Sequence, residues 1–278
     1  MKLILAAPFL LAFLAGCSDN RYGTLALIVT DAPMPYEVVE RATVEVDRIT
    51  VDDGDDPRHP PCVLYEGDPL SIEISSLRNG IVRHLFSRNV PTYAFTRVHM
   101  HFSGAALALT NGRTFTSHDG SLKMPKQDKA GAELTIEIPI HVRDGRWSRL
   151  LLDMDLPLSF SSETGGDLLQ ADVVQFHPVL HAVRPGLSGE VRGIVSAINE
   201  TGQMAPVANA TVYILPAGSE LLEMAVGATG TDSDGSFAKL GLPPGTYDVV
   251  ALKGDVRVTH GSCVVQASNY TIVDLSLP

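Results

Sequence analysis

The sequence predicts an all-β protein made of two β-sandwich-like domains. Along most of the chain, apolar residues alternate with polar ones in short runs, which is the pattern of strands that bury one face. Glycine (24 residues) and proline (18 residues) separate these runs, so turns follow one another closely. With 45% apolar residues the chain can build real cores, and its 278 residues fit one or two domains.

The chain opens with a segment typical of secreted proteins. Lys2 precedes an apolar run over residues 3–14, and the run ends in Leu14-Ala15-Gly16-Cys17. One positive charge, a short apolar stretch and small residues at the end predict a signal peptide over residues 1–16. The run is shorter than the ~20 apolar residues that a membrane span needs.

The end of this segment resembles a bacterial lipobox. The resemblance implies that the chain is cut before Cys17, that the Cys17 thiol is acylated with palmitate, and that residues 17–22 are a lipidated tether. The mature protein would then be a membrane-anchored lipoprotein of the cell envelope. Ser18 resembles the pattern that is sorted to the outer membrane in diderm bacteria. An ordinary signal peptide with a chance cysteine is the alternative, but a secreted chain with 3 cysteines has little other reason to place one there.

Strand-like runs fill the predicted first domain, residues 23–184. They lie at residues 23–30, 43–51, 70–74, 93–102, 133–140, 149–156 and 170–183. In the second run, Val44 and Val46 share one face while Ile49 and Val51 fall on the other. We therefore predict a β-bulge near Asp47-Arg48, which would bring all four side chains to one side. Residues 76–87 form the best helix candidate, although Gly80 weakens it.

A linker-like segment, Arg184-Pro185-Gly186, marks the predicted boundary to a second domain at residues 188–278. Seven short runs follow, with turns about every 8–12 residues, and this rhythm is typical of a small β-sandwich. The runs lie at residues 188–197, 210–215, 225–231, 236–240, 246–253, 257–266 and 270–277.

Two turns in the second domain carry a family resemblance. Residues 231–237 (TDSDGSF) and 242–247 (LPPGTY) resemble the carboxypeptidase-regulatory-like family, over roughly residues 188–278. Asp234-Gly235 suits a tight turn with positive φ. The resemblance implies a seven-stranded Greek-key, transthyretin-like sandwich with a binding or surface-display role. It implies no peptidase, because the family's catalytic zinc domain has no counterpart here.

The first domain resembles a family of bacterial lipoprotein domains known as domain of unknown function 4382. The resemblance runs over residues 23–183, but His99 and Met100 stand where that family usually has aliphatic residues. It implies a β-rich extracytoplasmic module and no particular activity. It rests on Gly23-Thr24-Leu25, Thr30-Asp31-Ala32-Pro33, residues 44–49, Tyr93 with Arg97, and Leu152-Asp153-Met154-Asp155.

The charge of the chain excludes one class of partner. Loss of residues 1–16 removes Lys2 and takes the formal net charge from −11 to −12. So acidic a surface repels nucleic acid and anionic lipid. Membrane attachment must then come from the acyl chains.

Two groups of side chains are candidate metal ligands. His99 and His101 share a strand face and could both reach one metal ion, but solvent-facing histidines are the favoured interpretation. Asp153 and Asp155 also share a face, and with Asp31 at a turn they could gather around Ca²⁺. The favoured interpretation is a pair of outward polar residues and an Asx turn. We assign no metal and no cofactor.

Two cysteines, Cys62 and Cys263, remain once Cys17 is acylated. They could pair in an oxidising envelope. We favour two separate thiols because the two residues fall in different predicted domains.

The sequence favours a non-catalytic envelope protein that binds a glycan or an envelope protein. The nucleophile elbow, the zinc-protease motif and the phosphate-binding loop are all missing, so we assign no catalytic residue. One alternative is a metal-dependent envelope enzyme that uses His99 and His101, and another is a purely structural surface spacer. A sugar-binding face could be lined by Tyr22, Tyr36, Tyr65, Tyr93 and Trp147.

Overall fold

The computed structural model describes residues 21–31, 38–54, 59–77, 79–125 and 131–278. The predicted signal peptide, Cys17, Ser18 and Tyr36 lie outside the described residues, as does the side chain of Asp31. No helix in the described part of the chain is long and apolar enough to span a membrane.

Twelve strands form the first sandwich and its flanking sheet. They are β1 (Tyr22–Asp31), β2 (Val39–Asp52), β3 (Cys62–Glu73), β4 (Arg83–Pro91), β5 (Ala94–Leu109), β6 (Thr114–Thr116), β7 (Leu122–Lys123), β8 (Ala132–His141), β9 (Trp147–Met154), β10 (Phe160–Ser162), β11 (Val174–Phe176) and β12 (Leu180–Val183). Sheet 1 has the order β12-β9-β1-β4, and sheet 2 has the order β3-β2-β5-β6 with β8 also paired to β5. A small third sheet, β10-β11-β7, adjoins them. The one α-helix of the described residues, α1 (Leu156–Ser159), follows β9.

The first core lies between sheets 1 and 2 and is set by the alternation of their strands. Leu25, Leu27 and Val29 of β1 are buried in the same apolar cluster as residues of β2 and β5. The predicted bulge in β2 is confirmed, because the pairing of β2 with both β3 and β5 shifts between Val46 and Arg48. As a result Val44, Val46, Ile49 and Val51 are all fully or almost fully buried on one side.

The predicted helix over residues 76–87 is wrong. A 3₁₀ turn at Ile74–Leu77 leads to a bend in which Asn79 and Gly80 both have positive φ. The chain then enters β4, which pairs antiparallel with β1 along its whole length. Pairing with β1 therefore overrides a helical propensity that Gly80 had already weakened.

The second sandwich contains the remaining nine strands. They are β13 (Gly189–Ile198), β14 (Met204–Pro206), β15 (Thr211–Pro216), β16 (Gly227–Gly230), β17 (Ser236–Leu242), β18 (Gly245–Lys253), β19 (Val256–Val265), β20 (Tyr270–Ile272) and β21 (Leu275–Leu277). Sheet 4 has the order β14-β13-β17, with β20 and β21 also on β13, and sheet 5 has the order β16-β15-β18-β19. All seven predicted runs are strands. The structure adds β14 and divides the last run into β20 and β21.

The all-β prediction with β-sandwich-like domains is therefore confirmed. The described residues contain two separate apolar clusters. The first ends at Leu180 and the second begins at Val191. The domain limits that the sequence suggests, 23–184 and 188–278, stay predictions.

Gly193 shows how closely the strands of sheet 4 approach one another. A Cβ atom at this position would lie 1.8 Å from the carbonyl oxygen of Val273 and 3.1 Å from Cε1 of Phe237. Both neighbours belong to the packed interior of the sheet, and the nearer one is backbone, which cannot move aside cheaply.

We expect Gly193→Ala to lower the free energy of unfolding of the protein by about 1–3 kcal/mol through this clash. Gly186→Ala is the matched control, because a Cβ there meets nothing within 4 Å. Urea titration followed by circular dichroism measures both. Equal midpoints for the two variants would show that sheet 4 is not packed as described.

Candidate functional site: the cleft between the sandwiches

A cleft of about 700 Å³ lies between the two sandwiches and takes its walls from both of them. The first sandwich contributes β12, the end of β9, helix α1 and two residues of β8. The second contributes parts of β15, β16 and β17 and the turn before β16. This volume falls in the range of about 300–1,000 Å³ that is usual for ligand sites.

Sheet edges converge on the cleft. Strand β12 is the last strand of sheet 1, β16 is the last of sheet 5, and β17 is the last of sheet 4 on its path. Among the described strands, β8 pairs only with β5. An edge strand carries backbone N–H and C=O groups that no neighbouring strand satisfies. The cleft is therefore lined by unpaired strand edges as well as by side chains.

A buried ion pair joins the two sandwiches at the wall of the cleft. The Nζ of Lys239 on β17 donates a hydrogen bond to Oδ2 of Asp153 on β9. Asp153 is 8% exposed and Lys239 is 4% exposed. The lysine stem runs over Gly227, where a Cβ would lie only 2.7 Å from Cε of Lys239.

The second carboxylate oxygen of Asp153 is chemically distinctive. Oδ1 is buried, and no group of the described residues hydrogen-bonds to it. A buried carboxylate oxygen without a donor costs free energy, so a ligand that brings an N–H or O–H group is favoured here.

The second sandwich explains why Asp153 is buried. Strand alternation places Leu151 and Asp153 on the face of β9 that points away from the first core, yet both residues are buried, so the expectation that Asp153 faces solvent is wrong. The second sandwich covers that end of sheet 1, since a Cβ on Gly241 would lie 2.9 Å from Val183 and 3.7 Å from Leu151. A further contact forms where Asn79 Nδ2 donates to the Ser236 carbonyl at 3.1 Å.

Asp153 and Asp155, the two candidate calcium ligands whose side chains the structure describes, each have a partner within the protein. Asp153 has Lys239 as its counter-ion, and Asp155 caps α1 by accepting a hydrogen bond from the Leu158 amide at 3.0 Å. The side chain of Asp31 lies outside the described residues. Among the residues that the structure describes, no three His, Cys, Asp or Glu side chains are grouped to hold a metal ion.

The two strand histidines each have their own carboxylate. His99 Nε2 lies 2.6 Å from Asp52, its Nδ1 lies 2.9 Å from Thr135, and His101 Nδ1 lies 2.6 Å from Asp47. Both ring nitrogens of His99 are thus engaged, which does not favour shared coordination of a metal with His101.

Asp52 is held in its charged form. Burial opposes its ionisation. However, hydrogen bonds from Arg97, from the Gly54 amide and from His99 outweigh burial and lower the pKa of the Asp52 carboxyl below its usual value. Arg97 Nε approaches this carboxylate at 2.8 Å. Asp52, Arg97 and His99 form an ion-pair network on sheet 2, and none of the three lines the cleft.

The four candidate aromatic residues that the structure describes do not form one face. Trp147 and Tyr22 share the outer face of sheet 1, because Trp147 pairs with Thr24, and they are 63% and 46% exposed. Tyr65 stacks with Phe86 and Tyr93 stacks with His59 at 4.0 Å, so both rings pack within the protein.

Cys62 and Cys263 are both free thiols. Cys263 is buried in the second core, and Cys62 packs against the first. Burial raises the pKa of both thiols, so both are held in the protonated, less reactive form.

Comparison with known proteins assigns the first sandwich to a family. A family model described as a domain of unknown function, DUF4382, matches residues 22–170, which is more than half of the chain. The chain belongs to the DUF4382 family. No curated protein matches the sequence.

Several solved structures resemble this DUF4382 protein distantly. One is a Pseudomonas aeruginosa protein whose carbohydrate binding is a provisional assignment. It is 17% identical with a TM-score of 0.25, and the match covers 34% of this chain and 91% of that protein's chain. The minor pilin of Streptococcus agalactiae is 6% identical with a TM-score of 0.25, covering 91% and 94%. A Bacteroides ovatus fimbrial protein is 9% identical with a TM-score of 0.22, covering 92% and 49%. At these values none of the matches carries an argument about function.

Sequence reasoning missed Lys239 as a site residue of the DUF4382 protein. The sequence does hold one signal for it: Lys239 stands two residues after Phe237 in a predicted strand, so both side chains point to the same, inward face. A lysine on an inward face needs a buried counter-charge. Its partner stands 86 residues away, so the pairing itself could not be read from the pattern.

We expect Asp153→Ala to lower the free energy of unfolding by about 3–5 kcal/mol, because it leaves the Lys239 charge buried and unpaired. The double variant Asp153→Leu/Lys239→Met removes both charges and should recover most of this loss. Chemical denaturation measures both proteins. A double variant as unstable as the single one would show that the ion pair is not buried.

Proposed function

We propose that this DUF4382 protein is a non-catalytic, lipid-anchored protein of the cell envelope that binds an envelope glycan or envelope protein in the cleft between its sandwiches. The observation that carries the proposal is that Asp153, a residue of the cleft wall, has a buried Oδ1 that lacks a donor among the described residues. Binding of a donor-bearing ligand would satisfy it.

The rest of the cleft supports ligand binding. Leu158, Leu180 and Val226 supply apolar contact area, while Glu137, Asp155 and His181 supply polar groups around it. A mainly apolar wall with a few convergent polar groups is the usual composition of a ligand site. Leu158 and Val226 are 64% and 45% exposed, so a ligand can reach them from solvent.

The sequence supports attachment of this site to a membrane. The lipobox-like segment ends at Cys17, and β1 begins at Tyr22. Five residues span at most about 17 Å, so acylation of Cys17 would keep the first sandwich close to the bilayer.

Cells that express the protein and are fed radiolabelled palmitate should label the wild-type chain, and Cys17→Ser should abolish the label because no acylated thiol remains. Cys62→Ser serves as the control and should keep it. Label that persists in the Cys17→Ser variant would contradict the anchor.

Binding is tested with the soluble chain that begins at residue 18, screened against an oligosaccharide array and against tiled peptides from envelope proteins. We expect at least one ligand class to bind, and Val226→Arg to weaken its binding at least tenfold by filling the cleft. Val256→Arg is the matched control, since this valine is similarly exposed (40%) and lies outside the cleft.

Two results would contradict the binding function. Failure of both the array and the peptides to bind the wild-type chain would favour the structural spacer. An equal loss of binding affinity in the Val226→Arg and Val256→Arg variants would show that the ligand does not bind in the cleft. Thermal unfolding of all three proteins confirms that each variant is folded.

A further inference from the structure

Strand β12 offers an open hydrogen-bonding edge to the cleft. All four of its residues line the cleft, and it pairs on one side only, antiparallel to β9. The Asp155 amide donates to the Val179 carbonyl at 2.9 Å, just before β12 begins. In an antiparallel ladder every second residue bonds to the same partner, so Leu180 and Ala182 direct their N–H and C=O groups away from β9.

The outward groups of Leu180 and Ala182 have no hydrogen bond to another strand among the described residues. They stand one strand repeat apart, which is the spacing at which an added extended chain presents its own N–H and C=O groups. A chain segment of four residues, about 13 Å long, would cover the edge.

The charges that face this edge select the side chains of such a segment. The cleft contains three carboxylates, Glu137, Asp153 and Asp155, against one ammonium group, that of Lys239. His181 also lines the cleft. The site is therefore net negative, and Oδ1 of Asp153 still lacks a donor.

We infer that the cleft takes an extended, basic segment of a partner protein, which adds a strand to the edge of β12 and places a lysine or arginine against Oδ1 of Asp153. This inference rests on the proposed function and names its ligand class. Main-chain hydrogen bonds to β12 would give affinity, and the carboxylates would select the basic residue.

A glycan matches the cleft less well. Its hydroxyl groups can donate to Asp153, but a glycan has no regular row of N–H and C=O groups to pair with Leu180 and Ala182. The walls near the edge, formed by Leu158, Leu180 and Val226, suit the alternating apolar side chains of a strand.

The test is a display library of random octapeptides, selected on the soluble chain that begins at residue 18 and counter-selected on the Val226→Arg variant. The selected peptides should alternate apolar and polar residues around a central lysine or arginine. Fluorescence anisotropy then compares each selected peptide with its glutamate counterpart, which should bind at least tenfold more weakly.

Backbone methylation tests strand addition itself. N-methyl groups on one alternate set of peptide nitrogens should weaken binding at least tenfold, because those N–H groups pair with β12. N-methyl groups on the other set, which faces away, should change it less than threefold. Equal effects of the two sets would overturn strand addition.

A protein variant tests the carboxylate. Asp153→Leu/Lys239→Met leaves no buried charge, and in it the preference for lysine over glutamate should fall at least fivefold while Val256→Arg leaves that preference unchanged. A preserved preference would overturn the role of Asp153.

The array separates this inference from the proposed function. Oligosaccharides that bind in a Val226-dependent manner, with no peptide selected, would overturn the peptide inference and leave the binding function standing. Failure of both ligand classes would overturn both.

Discussion

The buried ion pair between Lys239 and Asp153 fixes how the two sandwiches meet. Taking a charge out of water costs several kcal/mol, so any arrangement that leaves one of these two charges buried without the other is strongly disfavoured. The lysine lies on an edge strand of the second sandwich and the aspartate on a central strand of the first. Their pairing therefore requires the second sandwich to sit over the outer face of sheet 1. Leu151 is buried as a consequence.

The same arrangement manages a hazard of β-proteins. Strands β12 and β16, each only four residues long, are open edges that could pair with other chains. Both line the cleft, where the facing sandwich limits access to them. On an open surface such a strand edge is an aggregation risk. Inside a cleft lined by charged side chains, the same edge can pair with one specific segment of a partner under the proposal made above. The unpaired N–H and C=O groups are the same in both cases, and the accessibility of the edge decides between aggregation and specific binding.

Much of the fold follows from the sequence, but the site does not. The alternation fault at Asp47-Arg48 predicts the bulge, because a shift by one residue would turn buried side chains to the other face. Turn spacing predicts the strands of the second sandwich apart from β14. The helix prediction at residues 76–87 fails because local propensity is weaker than pairing with β1. Asp153 was expected to face solvent because strand periodicity describes one sheet at a time. Strand periodicity contains no information on which outer face of a sheet a second sandwich will cover.

The residues that line the cleft lie partly inside and partly outside the segment that matches the family. This division bears on which part of the chain determines ligand specificity. The match ends at residue 170, so Glu137, Asp153 and Asp155 lie within it. Lys239, Val226 and the edge of β12 lie beyond it. Without Lys239, Asp153 would lose the counter-ion that holds its charge in a buried position. The DUF4382 sandwich thus brings the carboxylates, but the second sandwich covers Asp153 and supplies the opposite wall. Under the proposed function, the choice of ligand therefore depends on how the two sandwiches pair, and a DUF4382 domain joined to a different neighbour would present a different site.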